Sequence, residues 1–380
     1  MVENNKTKKG KKKSFGKFEK DNSNIKGKAI GYFKPKAMQE LKEFVKKNQR
    51  ICIRGGGTGF VGGAVPLEDV VLDMTGMGEI INLDIDRRMV EVDAGITLED
   101  LNNYLVARGL EFPIKVFSEK EATLGGMIAT NAPGIRFMKY GRIGEWINWI
   151  EVVNSAGEVE RKSRVDLTDY AGMEGTTGVI TKANLKLIPK VERTAKIFSS
   201  EYIQEIMEKV KELRQNPFVS AIELIDKRIS ESLSLPFRYH LIIEYESAEG
   251  NLTGQKYSDA MNLVYLAYNV ILNKETRYKI EDFRVILDRF DKLFTYIESY
   301  DIPIFASVSF GLMHPCFPED KENLIPEIAN VVKRMCGTIN GGYGIGLTKR
   351  TFVDINDRKL LVNMKKRLDP VNKFNAGKII

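Results

Sequence analysis

The stretch ICIRGGGTGFVGG at residues 51–63 constrains the chain most, because six of its thirteen positions are glycine. The apolar letters before the glycines indicate a short buried strand. A glycine run directly after a strand can adopt positive φ and turn several N–H groups toward one point, which suits phosphate oxygens. Taken alone, the loop is explained equally well as a structural turn.

Two common phosphate-binding motifs do not fit this loop. No Lys-Ser/Thr pair closes a P-loop, and the segment AVPLEDVVLD after Gly63 has the pattern of a turn and a strand. A Walker site and a Rossmann turn are therefore disfavoured. Two other segments rich in small residues, ATLGGMIATNAPG at 122–134 and GMEGTTGVI at 172–180, also permit close backbone approach. One large ligand that touches all three segments is the simplest explanation.

The composition is typical of a soluble two-domain protein. The chain has 380 residues, of which 43% are hydrophobic and 29% charged, so it can bury a sizeable core. The sequence contains neither an apolar run of membrane-spanning length nor a secretory signal, which predicts a cytoplasmic protein without an integral membrane segment. Cys52, Cys316 and Cys336 form no CxxC pair, so any iron-sulfur centre must belong to a partner.

The net charge of +7 is concentrated at the N-terminus. The first twenty residues hold eight lysines and two glutamates, which accounts for six of the seven charges. The nearly neutral remainder argues against a specific nucleic-acid surface. The composition predicts a disordered Lys-rich tail over residues 1–24 that serves solubility or weak contact with anionic surfaces.

Hydrophobic periodicity predicts two regions of different architecture. The first has a helix from about residue 38, strands at 51–53, 70–74 and 89–95, a helix capped by Thr97, a hairpin over 146–160 and a strand over 182–188. The second has helices at 201–214, 256–272, 281–299 and 320–335 and strands SAIELI, HLIIEY and PIFASVSF. A glycine-rich loop, CGTINGGYGIG, and a last helix follow.

Four motifs occur in an order that resembles a known family. They are RGGGTGxxGG at 54–63, TLGGxIATNAxG at 123–134, EGTTGVI at 174–180 and DPVNKFNAGKI at 369–379. This order resembles the FAD-linked oxidases of the vanillyl-alcohol oxidase superfamily, in particular glycolate oxidase and D-lactate dehydrogenase type flavoproteins. The resemblance covers roughly residues 28–380.

The resemblance implies an α+β fold. A PCMH-type FAD-binding domain is expected over 25–192 and a smaller, shortened α+β cap domain with an antiparallel sheet over 193–338. The glycine-rich loop and C-terminal helix over 339–380 are expected to return to the FAD domain.

The resemblance also implies bound FAD. Neither histidine of the chain, His240 or His314, lies in the glycine loop, so the FAD is expected to be non-covalent. Lys349 and Lys378 are either further flavin contacts or surface lysines. The residues implied for cofactor binding are Arg54, Gly55, Gly56, Gly57, Thr58, Gly59, Thr123, Gly125, Gly126, Thr130, Asn131, Glu174, Gly175, Gly178, Ile180 and Asn375.

The catalytic motifs of the resembled hydroxy-acid dehydrogenases are only partly present. Those enzymes bind a divalent metal and take the substrate proton through GHxGDGNLH and GEHGxG. The corresponding segment ASVSFGLMH has Ser307 and Phe310 at the first histidine and the aspartate, and NGGYGIG has Tyr343 at the other histidine. No metal site is expected. His314 and Tyr343 are the candidate catalytic residues, and each is also explained as a packed residue.

Three functions are consistent with the sequence. The first is an FAD-dependent oxidoreductase that takes a hydride from a small organic substrate, such as a 2-hydroxy acid, and passes electrons to an iron-sulfur subunit, a quinone or oxygen. The alternative is a flavin-carrying non-catalytic or electron-transfer subunit of a larger complex. The last in rank is a basic-tailed protein that binds nucleic acid or a membrane surface.

Overall fold

The computed structural model describes residues 15–272 and 277–380, and the chain divides into two compact units. Unit 1 consists of Met1–Ala132, Arg142–Lys190 and Gly342–Ile380. Unit 2 consists of Pro133–Gly141 and Val191–Gly341. This division does not test the domain bounds expected from the sequence, which stay predictions.

Unit 1 contains a parallel sheet and an antiparallel sheet. The parallel sheet has the order β1-β3-β2, formed by β1 (Lys28–Phe33), β2 (Ile51–Arg54) and β3 (Leu67–Asp73). The antiparallel sheet has the order β4-β5-β9-β7-β8, formed by β4 (Ile80–Asp84), β5 (Met89–Asp93), β7 (Ile147–Val153), β8 (Val159–Ser163) and β9 (Val179–Lys186). A short ladder joins β6 (Leu110–Glu111) to β10 (Ile188–Pro189).

The helices of unit 1 bury one apolar face each. They are α1 (Met38–Lys47), α2 (Leu98–Val106), α3 (Leu124–Thr130) and α10 (Ile355–Leu368). Leu41, Phe44 and Val45 of α1 recur at helical spacing and join Ile51 and Leu72 in one buried cluster. The hydroxyl of Thr97 accepts a hydrogen bond from the Asp100 N–H at 3.1 Å, as the sequence predicts for the start of α2.

Unit 2 is built on one seven-stranded antiparallel sheet. Its main path has the order β11-β13-β12-β16-β17-β14, and β15 also pairs with β17. The strands are β11 (Thr194–Ser200), β12 (Val219–Ile225), β13 (Tyr239–Tyr245), β14 (Tyr278–Ile280), β15 (Phe283–Arg284), β16 (Ile304–Ser307) and β17 (Leu312–Pro318). The helices are α4 (Phe137–Tyr140), α5 (Ile203–Leu213), α6 (Lys227–Ser232), α7 (Gly254–Leu272), α8 (Phe290–Glu298) and α9 (Ile325–Arg334).

The helix predicted over 281–299 is wrong in its first half. The chain forms β15 and a 3₁₀ turn there, and helix α8 begins only at Phe290. Arg284 bonds through its backbone to Thr338, and Phe283 pairs with Met313 of β17. These long-range ladders outweigh the local helical pattern. Within the predicted helix over 320–335, only Ile325–Arg334 is α-helical and the preceding turn is 3₁₀.

The predicted N-terminal tail is described only from residue 15 onward, and residues 1–14 lie outside the described part. Residues 15–24 pack on unit 1. Gly16–Glu19 form a 3₁₀ turn, and Phe18 stacks on Tyr32 of β1 with ring centroids 4.6 Å apart. Among residues 15–272 and 277–380, no helix combines the length and apolar character needed to cross a membrane.

Candidate functional site

The glycine loop after β2 presents a row of backbone donors. The N–H groups of residues 55–59 make no hydrogen bond to any described residue. The carbonyls of Thr58 and Gly59 accept hydrogen bonds from the side chain and the backbone of Asn22 at 3.4 and 2.9 Å. Backbone donors that make no hydrogen bond to the described residues are available to an anion such as a pyrophosphate.

This loop packs so closely on the second small-residue segment that side chains do not fit between them. A Cβ atom on Gly55 would lie 2.2 Å from Oγ1 of Thr123, and one on Gly56 would lie 1.8 Å from the carbonyl oxygen of Glu121. A Cβ on Gly57, whose φ is +73°, would lie 1.9 Å from Nη2 of Arg54. Glycine is therefore required here by packing as well as by backbone conformation.

The second segment forms helix α3 and its caps. Oγ1 of Thr123 accepts from the Gly126 N–H at 3.3 Å, and Oγ1 of Thr130 donates to the Gly126 carbonyl at 3.1 Å. Asn131 ends the helix in the left-handed conformation and accepts from the Gly144 N–H at 3.2 Å. A Cβ on Gly125 would lie 2.8 Å from that of Ala94. These side chains shape the segment, while their role toward a cofactor stays a prediction.

The third segment is tied to both of the others. The Glu174 N–H donates to the carbonyl of Ala129 in α3 at 2.8 Å. Asn375 accepts from the Ile53 N–H of β2 at 2.9 Å and donates to the Glu174 carbonyl at 2.6 Å. A Cβ on Gly175 would lie 3.0 Å from Nδ2 of Asn375. The three segments therefore meet at the end of β2, as expected if they surround one ligand.

The Glu174 side chain holds the C-terminal glycine loop. Its carboxylate accepts from the Ile345 N–H at 2.6 Å and from the Gly346 N–H at 3.0 Å. Burial raises the pKa of Glu174 to about 7, against the opposing effect of these donors and of Lys378 and Lys349. Gly178 and Ile180, at the end of the same segment, contact residues outside the three glycine-rich segments. Gly178 lies next to Tyr170, and Ile180 pairs with Val152.

Lys349 and Lys378 are not surface lysines. Their relative exposures are 2% and 0%. Nζ of Lys378 lies 3.0 Å from Sγ of Cys52, 2.8 Å from the carbonyl oxygen of Gly63 and 3.2 Å from Oδ1 of Asn375. The buried amino group of Lys378 therefore cross-links β2, the end of the glycine loop and the C-terminal segment.

The two candidate catalytic residues belong to different units. Tyr343, in unit 1, is half-buried, and its ring stacks on Phe60 of the glycine loop with centroids 4.6 Å apart and planes 26° apart. His314, in unit 2, lies on β17 and stacks on Phe305 with centroids 4.7 Å apart. Ser307, on the neighbouring strand, donates to the buried carboxylate of Glu223 at 2.9 Å. The catalytic role of Tyr343 and His314 stays a prediction.

We expect His314 to make the protein less stable as the pH falls. Burial lowers the pKa of His314 to about 3, so the unfolded chain, with a pKa near 6.5, binds this proton more readily. The stabilisation is fully present above pH 6.5 and is lost on acidification. Between pH 6.5 and 5, the free energy of unfolding of His314→Gln, measured with urea, should fall by about 1–2 kcal/mol less than that of the unchanged protein. An identical pH slope in the two proteins would contradict the buried neutral imidazole.

Asp21 also contributes to this region, although no motif of the sequence points to it. The Asp21 carboxylate is buried and accepts from the Ser23 N–H at 2.9 Å, and its Oδ2 has no hydrogen-bond partner among the described residues. Arg54 donates to the Lys20 carbonyl at 2.9 Å and so fastens the same segment to β2. The lysine-rich composition predicts disorder for this stretch, and only the apolar residues Phe15 and Phe18 indicate that it packs.

Unit 2 contains a buried ionic network that no sequence motif indicates. Arg136 donates to both carboxylate oxygens of Glu244 at 2.7 and 2.9 Å. Ser220 and Tyr257 donate to the same carboxylate at 2.6 and 2.7 Å. Despite burial, the pKa of Glu244 is well below its usual range because of Arg136 and Arg193. Since its members come from separate segments, no local pattern predicts this network.

The FAD binding domain family matches residues 30–163. The chain is 27% identical over 402 residues to D-lactate dehydrogenase of Archaeoglobus fulgidus, which covers 91% of this chain and 90% of that protein. It is 27% identical over 397 residues to glycolate oxidase subunit GlcD of Bacillus subtilis, with 87% and 83% covered. A solved structure of alkyldihydroxyacetonephosphate synthase aligns with a TM-score of 0.69 over 92% of this chain and 76% of that chain, at 17% identity, and shows the shared fold.

These comparisons confirm the resemblance and the α+β fold with a PCMH-type FAD-binding domain. The relatives are named as dehydrogenases and oxidases, which confirms the prediction of an oxidoreductase. Residues 30–163 are accordingly an FAD binding domain, and the chain is a flavoprotein similar to D-lactate dehydrogenase and to a glycolate oxidase subunit.

Proposed function

We propose that the protein is a dehydrogenase that takes a hydride from a small 2-hydroxy acid onto non-covalently bound FAD. The N–H groups of residues 55–59, which make no hydrogen bond to a described residue, are the observation that supports the cofactor in this proposal. The similarity to D-lactate dehydrogenase and to D-2-hydroxyglutarate dehydrogenase of Xanthomonas citri, 23% identical over 91% of this chain, supports a 2-hydroxy acid as substrate.

FAD, when bound, supplies the hydride acceptor, and the chain supplies its position. We assign the pyrophosphate to the N–H groups of residues 55–59, and Lys378 holds the end of the same loop through the Gly63 carbonyl. Asn375 and Glu174 keep the surrounding segments in place. Tyr343 is proposed to orient the substrate. The imidazole of His314, the other candidate, stays neutral at pH 7 because burial lowers its pKa to about 3, so its proposed role is that of a hydrogen-bond partner and not of a base. The sequence-based expectation of a cytoplasmic location is retained as part of the proposal.

The proposed reaction uses no protein-bound metal. Ser307 stands where the resembled enzymes have a metal-binding histidine, and its hydroxyl is engaged by Glu223. Among residues 15–272 and 277–380, no group of three or more His, Cys, Asp or Glu side chains is placed to bind a metal. The alternative function, a flavin-carrying electron-transfer subunit, is favoured by the same departure from the catalytic motifs.

Anaerobic reduction of the flavin separates these two functions. D-lactate, glycolate and D-2-hydroxyglutarate are each mixed with the oxidised protein, with and without EDTA, while the loss of flavin absorbance is followed. The dehydrogenase predicts that at least one acid bleaches the flavin and that EDTA leaves the rate unchanged. Retention of oxidised flavin with all three acids would contradict it, and a rate abolished by EDTA would contradict the metal-free reaction.

Gly57→Ala is expected to yield folded protein with little FAD. The new Cβ would displace the guanidinium of Arg54 and disturb the N–H row, so we expect at least about a tenfold loss of FAD affinity. Gly109→Ala is the matched control, because Gly109 has φ +71° and no atom within 4 Å of an added Cβ. It carries a similar backbone strain and should retain FAD. Full flavin content in Gly57→Ala would refute the assignment of the loop.

A further inference from the structure

Unit 2 contains a cavity of about 950 Å³ between the end of α5, the segment after β15 and the end of α9. Its volume is at the upper end of the range for pockets that enclose drug-sized ligands. The lining combines apolar side chains with cations. The apolar group consists of Phe137, Val285, Ile286, Leu287 and Phe310, and the cations are Lys211, Arg214 and Arg284.

Arg284 is the central cation of this cavity. Its side chain is half-buried, and its guanidinium makes a cation–π contact with Phe137, 5.9 Å from the ring centroid, and no hydrogen bond or ion pair with the described residues. Phe137 in turn contacts Phe310, with centroids 4.4 Å apart. A guanidinium beside an aromatic ring, whose five N–H donors meet no acceptor in the described part of the chain, is well suited to bind an anion.

Ser309 provides an independent polar group in the same cavity. The residue is fully buried, and its Oγ makes no hydrogen bond to any described residue. It lies in the 3₁₀ turn between β16 and β17 and lines the cavity beside Phe310. A buried hydroxyl normally has a partner, because leaving it unpaired costs about 1–3 kcal/mol. A ligand acceptor in the cavity would supply that partner.

The charges at the mouth favour an anion as well. Lys211 and Arg214 lie at the C-terminal end of α5 and contribute two positive charges to the lining. Asp288 is the one carboxylate of the lining and lies 3.9 Å from Lys211, with both side chains largely exposed. The lining therefore has three cations against one anion, and its net charge is positive.

We propose that this cavity binds an amphipathic anion, a carboxylate with an apolar body, whose head group contacts Arg284 and Ser309. The apolar lining is too extensive for the head group alone and provides the surface that would bury a hydrocarbon chain. The site lies within unit 2 and does not depend on the proposed reaction at FAD.

Isothermal titration of the oxidised protein with octanoate, 1-octanol and acetate tests this site without turnover. Octanoate combines a carboxylate with an apolar chain, and each of the other two probes lacks one of these parts. We expect octanoate to bind with one site and at least about tenfold more tightly than either comparison probe. Absence of octanoate binding at millimolar concentration, or equal binding of 1-octanol, would overturn the proposal.

Two variants locate the head group. Arg284→Gln should weaken octanoate binding about tenfold to a hundredfold while 1-octanol binding changes less than about twofold, and Ser309→Ala should weaken octanoate several-fold. Arg238→Gln is the control, because Arg238 is an exposed arginine of unit 2 that pairs with Glu201 and does not line the cavity. Unchanged octanoate affinity in both Arg284→Gln and Ser309→Ala would place the anion elsewhere and overturn the proposal. Ser309→Ala decides the question if Arg284→Gln does not fold.

Discussion

Arg136→Met is expected to lower the free energy of unfolding by about 3–5 kcal/mol, because it leaves the carboxylate of Glu244 buried without its main counter-ion. Glu244 is fully buried, and Arg193 is 3.9 Å away and forms its shorter contact with Glu246 instead. The hydrogen bonds from Ser220 and Tyr257 remain but do not neutralise the charge. Urea unfolding of the purified variant at pH 7 measures the loss.

The same variant has a pH signature. Because the pKa of Glu244 is depressed in the folded protein, the stabilisation by Arg136 is present above the ordinary glutamate pKa and is lost as the pH falls below about 4. The difference between Arg136→Met and the unchanged protein should therefore narrow on acidification. Arg238→Met is the control, since its exposed pair with Glu201 should contribute less than about 1 kcal/mol. Equal losses in the two variants would contradict the importance of burial.

Asn375→Leu is expected to lower the free energy of unfolding by about 2–5 kcal/mol and to weaken FAD binding. The Asn375 amide satisfies two backbone groups, the part-buried N–H of Ile53 and the buried carbonyl of Glu174, and leaving each unpaired costs about 1–3 kcal/mol. Leucine keeps the approximate volume but can bond neither group. Since Asn375 joins two of the three segments around the predicted phosphate site, flavin content should fall together with stability.

Asn372→Leu separates this effect from backbone strain. Both asparagines have positive φ, +51° at Asn372 and +45° at Asn375, but the side chain of Asn372 is exposed. The control variant carries the strain of leucine in the left-handed region, roughly 1–2 kcal/mol, without losing buried hydrogen bonds. It should retain FAD. If the two variants lose equal stability and equal flavin, the bridging role of Asn375 is wrong.

Local sequence patterns predicted the elements around the cofactor site well. A strand followed by a glycine run, the Thr97 cap and the hairpin over 146–160 all depend on neighbours within a few residues, and each is present. The prediction of a helix over 281–299 is wrong in its first half, because the backbone there pairs with Thr338 and β17, which are distant in sequence.

The buried charges could not be predicted from the sequence for a related reason. Lys378 and Arg136 look like surface residues in any short window, since burial of a charge depends on partners that only the fold assembles. Lys378 donates a hydrogen bond to the carbonyl of Gly63, 315 positions earlier in the chain, and Arg136 pairs with Glu244, 108 positions later. The four motifs that resemble the flavoprotein family indicated the cofactor loops because they occur together in a fixed order. They contain no information about these cross-links.

The most direct test of the account is the visible absorption spectrum of the purified protein, followed by heat or acid release and identification of any chromophore. We predict a flavin spectrum and the release of one FAD per chain, which would show that FAD is bound and that the linkage is non-covalent. A colourless protein that also fails to take up added FAD would contradict the assignment of the N–H groups of residues 55–59 to the pyrophosphate.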